Sequence, residues 1–240
     1  MTGFRLGYVP GVTPAKWARI WTERLPRVPL DLVQVPAADA PELVRRDLAD
    51  GGVDAVLLRL PVDRTGLHAI PLYVEKTVVV VPKEHVITAA DEVTADDLVD
   101  ELMLHPQDDV LDWEHPPGRL IDDRPARTVD AVELVAMGTG LLVVPQSLAR
   151  LHHRKDLTYR PLTGVPESQV ALSWPEDGTS ELVEHLIGIV RGRTANSTRG
   201  PAARDPKAKP KPQSKAQPKP QPKSQSKSQP GRPKKPRRRR

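Results

Sequence analysis

Few residues in this chain have the types and spacing that could do covalent or metal chemistry. His152 and His153 come nearest to a metal site. Adjacent positions on a helix point in different directions, and no third ligand follows at a matching interval, so no metal is expected. His115 lies among Asp and Pro and makes no better case. Gly138-Thr139-Gly140 comes nearest to a phosphate loop, but it follows a helical pattern and precedes an apolar run. That is the reverse of the strand–glycine–helix order that cradles phosphate, so the glycines read as a helix stop. No nucleophile elbow or dinucleotide fingerprint occurs. There is no cysteine, which excludes thiol catalysis and disulfides and fits a reducing cytoplasm. Carboxylates are numerous but scattered, and nothing marks a catalytic pair. Neither an enzyme nor a cofactor is expected.

What remains is the chemistry of binding. Gly11, Val12 and Thr13 stand just ahead of Pro14, where a helix should begin. Free N–H groups and the positive end of a helix dipole favour a carboxylate or another anion there. Thr13 serves equally as a plain N-cap, and the two roles are compatible. Arg59, Leu60 and Pro61 follow an apolar run. Arg59 could grip a carboxylate through two parallel hydrogen bonds, or pair at the surface with Asp63 or Glu75. In the second half of the chain, His105, Gln107, Thr128 and Val129 fall at expected strand ends. For His105 a solvated loop position is the alternative.

The stretch Gly51–Pro82 must position these groups. Ala55–Leu58 and Thr77–Val81 are short apolar runs without polar alternation, which suits strands covered on both faces. A bulky connector is expected between them. Ahead of this stretch, Phe4–Val9 and Leu30–Val35 read as strands. Trp17, Ile20, Trp21 and Leu25 form a helical stripe, and Asp39 to Glu42 opens a second helix carrying Leu43, Val44 and Leu48. This β-α-β-α-β rhythm predicts a mainly parallel sheet with ligands beyond its carboxyl ends, at Pro10–Thr13 and Arg59–Asp63.

After Pro82 the pattern restarts. Thr94 to Asp97 looks like a helix start, Leu102–Leu104 and Leu141–Val144 like strands, and Val129–Met137 and Gln146–His152 like helices. Ala126–Thr128 is a candidate strand, and Asp108–Arg124 reads as irregular. Tyr159–Leu162 leads back to a strand at Val170–Trp174 and a helix at Glu181–Val190.

Charge divides the chain. From Thr194 to Arg240 there are 16 Lys/Arg, 10 Pro and one acidic residue, Asp205, for a net charge of +15. Residues 1–193 hold 20 basic and 30 acidic side chains, a net of −10. The tail has no Val, Ile, Leu, Met or aromatic residue, too little apolar surface to offset its ordering entropy, and is expected to be disordered. Its basic end, Lys234, Lys235, Arg237, Arg238, Arg239 and Arg240, suits salt-dependent, sequence-independent contacts with nucleic acid phosphates. A solubilising tail, or one drawn back onto the acidic domain, is the alternative. The N-terminus shows no signal-peptide pattern and no apolar run is long enough to span a bilayer, so no membrane is expected.

Taken in order, Gly52-Val53-Asp54-Ala55-Val56-Leu57, Gly66-Leu67, Pro71-Leu72, Val78–Pro82 and Val135–Pro145 resemble the effector-binding domain of LysR-type transcriptional regulators. The resemblance covers roughly Phe4 to Gly192. It implies a type II periplasmic-binding-protein-like fold, with two Rossmann-like α/β lobes joined by two crossover strands. Lobe I would be 1–81 and 161–193, lobe II 82–160, and 194–240 the disordered tail. It implies a small organic effector between the lobes, a carboxylate being one candidate, and a homodimer through lobe I. Two features depart from the family pattern. No winged helix-turn-helix and linker helix precede the domain, and no long helix is patterned between Leu104 and Arg127. A solute-binding protein of a transporter, or a non-catalytic partner-binding protein, would share the same fold.

Overall fold

Short runs of branched apolar residues set the strands, and helices with one apolar stripe cover them. A computed structural model describes residues 3–193. The first half contains β1 (Phe4–Tyr8), α1 (Ala15–Arg24), β2 (Leu30–Gln34), α2 (Ala40–Arg45), β3 (Ala55–Leu60) and β4 (Leu67–Glu75). Then come β5 (Thr77–Pro82), β6 (Val93–Thr94), β7 (Leu102–Leu104), β8 (Arg119–Leu120), α3 (Thr128–Ala136), β9 (Leu141–Pro145) and α4 (Gln146–Leu151). The chain returns through β10 (Leu157–Thr163), β11 (Ser168–Pro175) and α5 (Glu181–Val190).

The strands form two sheets, ordered β2-β1-β3-β11-β4 and β6-β10-β5-β9-β7-β8. In the first, β1 runs parallel to β2 and β3, while β11 is antiparallel to β3 and β4. In the second, β5 is antiparallel to both β9 and β10. The chain passes between sheets at Lys76, between β4 and β5, and again at 164–167, between β10 and β11. The two-lobed α/β architecture with two crossovers is therefore the one the sequence implies. By sheet membership β5 and β10 lie in the second sheet, which puts the exchange points several residues before 81 and after 160.

The core explains why these runs are so uniformly apolar. Phe4, Leu6, Leu57 and Leu172 of the first sheet pack with Trp21 and Leu186, and the Phe4 and Trp21 rings lie 4.7 Å apart. Burying one such side chain contributes roughly 1.5–3 kcal/mol. In the second sheet β5 alternates faces. Val78 and Val80 join a cluster with α3 and α4, while Val79 and Val81 join Leu98, Met103 and Leu162 on the other side. A strand buried on both sides has no polar position, which is what Val78–Val81 shows, while the one polar residue at its start, Thr77, is buried with its hydroxyl on the Pro166 carbonyl.

Four local expectations are corrected. The bulky connector expected between the runs 55–58 and 77–81 is mostly the edge strand β4, nine residues long, whose Pro71 is tolerated because no further strand pairs on its outer side. The run 55–58 continues to Leu60, so Arg59 is a strand residue. Thr94 to Asp97 forms a capping box, but for a four-residue 3-10 turn, Ala95–Leu98. Ala126 and Arg127 are not strand, and Thr128 opens α3. Residues 105–127 contain no helix, only β8. The tail and its Lys234, Lys235, Arg237, Arg238, Arg239 and Arg240 lie outside the described residues.

Candidate functional site

The parallel strands of the first sheet all end on one side, so the loops after them share a rim. Facing that rim are the 107–112 loop, the start of α3 and the far end of α4. Between the two lies a cleft of about 930 Å³. The first sheet lines it with Pro10, with Gln34 at the end of β2 and the 35–38 segment after it, and with Arg59–Asp63 at the end of β3.

Of the residues singled out from sequence, Arg59, Leu60, Pro61, Gln107, Thr128 and Val129 line this cleft. Gly11, Val12, Thr13 and His105 do not. Pro10 takes the place expected of the next three residues. Val12 is buried, and Thr13 is exposed and caps nothing, because the N-cap of α1 is Pro14 without a side-chain bond. Gly11 has φ +84°, and a Cβ there would lie 2.5 Å from Ser147 Oγ and 3.0 Å from Arg59 Nη2. The glycine thus lets the β1 loop approach a polar network rather than a ligand. His105 Nε2 sits 3.2 Å from Asp109 Oδ2, a paired histidine at the margin.

Arg59 is the centre of that network. Its Nη1 donates to Glu75 Oε2 at 2.8 Å and to Ser168 Oγ at 2.7 Å. Its Nη2 donates to Ser147 Oγ at 3.0 Å and to the Pro10 carbonyl at 3.3 Å. Ser147 Oγ in turn donates to Glu75 Oε2 at 2.7 Å. The Arg59 and Glu75 side chains are only 4% and 10% exposed, so the ion pair expected at the surface is buried. The partners come from β3, the end of β4, the start of β11 and α4. The network therefore ties both crossovers to a helix of the second sheet.

Across the cleft, Asp108 Oδ1 accepts from the Thr128 N–H at 2.7 Å and from Thr128 Oγ1 at 2.8 Å. A carboxylate from a neighbouring loop thus caps α3 and answers its dipole. Asp109 accepts from the Leu111 N–H and from Trp113 Nε1. Burial still pushes its carboxyl up from the ordinary range. His152 is pushed down, first by burial, with Asp108 pulling the other way. Asp108, Asp109, Asp112 and His152 are cleft residues that sequence reasoning did not select. The cluster of three aspartates within 108–112 was visible, but no periodicity assigned it a direction. Among the described residues no group of three His, Asp or Glu is arranged to hold a metal, and no helix is long and apolar enough to cross a membrane.

Two sheets with covering helices, joined by two crossovers and with a cleft between them, define a two-lobed α/β module. Residues 5–195 match the family model described as the LysR substrate binding domain, and the chain belongs to that family. A similar chain from Mycobacterium avium, named "Probable hydrogen peroxide-inducible genes activator", is 32% identical over 157 residues, covering 60% of this chain and 49% of that one. The Bacillus subtilis (strain 168) HTH-type transcriptional regulator AlsR is 25% identical over 187 residues, covering 71% and 59%. The chain thus spans about half the length of the first relatives. In structure it is similar to the BenM effector binding domain with its effector benzoate, at TM-score 0.66 and 19% identity, covering 79% of this chain and 90% of that one. It is also similar to the oxidized form of OxyR, at TM-score 0.63 and 19% identity, covering 80% and 94%. At these identities the structures show a shared fold.

Proposed function

We propose that the chain is the effector-sensing module of a LysR-type transcriptional regulator, with a small organic molecule bound between the lobes. The observation that carries this is the cleft of about 930 Å³, large enough for a small metabolite and lined from both sheets. The residues that hold the effector are Leu60, Pro61, Gln107, Thr128 and Val129, joined by Asp108, Asp112 and His152, with Arg59 bracing the rim behind them through its internal bonds. A ligand touching both rims stabilises the approach of one lobe to the other, and its differential affinity for the closed form is the signal. A thiol sensor is not this chain's chemistry, because none of its 240 residues is cysteine. The module acts by binding rather than catalysis, in the cytoplasm, and pairs as a homodimer through lobe I. The 194–240 segment adds sequence-independent contacts to nucleic acid, supported by its net charge of +15.

The sensor reading is tested by a thermal-shift screen of the full chain against small metabolites. A ligand that raises Tm, and loses its effect when Thr128→Ala and Leu151→Ala open the second rim, supports it. A broad library without a hit counts against it. The tail reading is tested by mobility shift across a salt series with and without 194–240, and equal binding by the shortened chain refutes it.

A further inference from the structure

If the cleft holds the effector, as proposed above, its own side chains dictate the charge of the guest. Two places in the lining would ordinarily receive an anion, a guanidinium and the N-terminus of a helix, and both already hold carboxylates of this chain. Glu75 takes Arg59 at 2.8 Å, with both side chains in the interior. Asp108 takes the start of α3, accepting from the Thr128 N–H and hydroxyl. The other arginine of the lining, Arg127, is held by both oxygens of Asp130, at 3.2 and 3.0 Å. A ligand carboxylate would have to displace one of these, with Asp63, Asp109 and Asp112 also on the wall.

Those carboxylates give a cation little in return. Asp109 already accepts from the Leu111 N–H and Trp113 Nε1, and pairs with His105 at 3.2 Å. Asp63 accepts from the Thr65 N–H and hydroxyl and lies 3.6 Å from Arg45. Asp108 is engaged by α3, and Asp112 is exposed to water. An ion pair on an exposed carboxylate contributes little, while a cation set against an apolar wall gives up hydration. The wall is apolar on both rims, with Pro36, Leu60 and Val62 on one and Val110, Leu148 and Leu151 on the other. His152, next to Leu151 and half-buried, is pushed down by burial. At neutral pH its ring is therefore uncharged and offers one donor and one acceptor.

We propose that the cleft selects an uncharged organic molecule: a mainly apolar body carrying a hydroxyl or carbonyl, with that polar group set at His152. Such a guest displaces no internal carboxylate, covers the apolar wall of both rims and brings no charge into the space. Burial of apolar surface then dominates binding, and its mark is a negative heat-capacity change.

The test is isothermal titration of the full chain, at two temperatures, with matched probes. Phenyl, cyclohexyl and naphthyl bodies each carry a hydroxyethyl, an acetate or an ethylammonium group. At least one body binds at least tenfold tighter as the alcohol than as either ion, a difference of about 1.4 kcal/mol. Its binding enthalpy is more favourable at the higher temperature. Leu60→Ala and Leu151→Ala, one on each rim, each weaken the alcohol several-fold, as does His152→Phe. Asp108→Ala uncovers the start of α3 and raises the affinity for the acetate probe several-fold. Tighter binding of the acetate or the ethylammonium by the parent chain overturns the charge assignment, while the effector reading stands. Alcohol binding that survives both leucine substitutions overturns the site. Absence of binding by every probe at both temperatures overturns the cleft reading and this proposal together.

Discussion

Glu75→Gln isolates the interaction on which the hinge region depends. The substitution keeps shape and removes one charge. Arg59, 4% exposed, would then keep its guanidinium among neutral partners only: two serine hydroxyls, the Pro10 carbonyl and the new amide. Removing one partner of a buried ion pair costs about 3–5 kcal/mol, because the remaining charge stays desolvated. The glutamine oxygen still accepts one hydrogen bond, so the lower end, about 3 kcal/mol, is expected. For a domain of this size that is about 6–12 °C in Tm. Urea unfolding of the full chain, followed by far-UV circular dichroism, reads the loss as a lower midpoint at unchanged slope. The double variant Arg59→Met with Glu75→Leu should be more stable than Glu75→Gln alone, since it buries no charge. A Glu75→Gln protein within about 1 kcal/mol of the parent refutes the reasoning, because the Arg59 charge would then need no carboxylate.

Three further outcomes follow from the same geometry. Ser147→Ala removes a group that accepts from Arg59 and donates to Glu75, and should cost about 1–3 kcal/mol in the same assay. Gly11→Ala must hold a left-handed backbone at φ +84° and press a methyl on Ser147 Oγ, so a loss of about 1–3 kcal/mol is expected, and a neutral result would contradict the close approach. His152 should titrate below 6.5 by NMR, and lower still in Asp108→Asn, which removes the charge pulling it up. Because its folded pKa is depressed, the stability it contributes is present above 6.5 and is lost as pH falls through the folded value. A His152 titrating above 6.5 would contradict its partial burial at the end of α4.

The fold was legible because its strongest elements are unambiguous runs. Val78 to Val81 can only be a strand buried on both faces, and Glu181–Val190 carries its apolar stripe in the sequence. Such segments, in order, carry the family resemblance. β4 was missed because Pro71 and an exposed face look like a connector until β11 supplies a partner. The site was legible only where a strand or helix end fixed it, as at Leu60 and Thr128. The roles of Ser147 and Asp108 depend on pairings 88 and 20 residues apart, which no local pattern encodes. Arg59 shows the limit most clearly. The sequence left it a ligand carboxylate or a surface pair with Asp63 or Glu75, and the fold closes it on Glu75 in the interior.

Chemical-shift mapping of the ¹⁵N-labelled chain during titration with the strongest stabiliser from the thermal-shift screen bears most directly on whether a guest sits between the lobes. Saturable shifts should appear together on both rims, at 34–38 and 60–63 of the first sheet and at 107–112, 127–129 and 148–152 of the second. Saturable shifts confined to one rim, or to the outer faces of α1 and α5, would contradict a ligand held by both lobes.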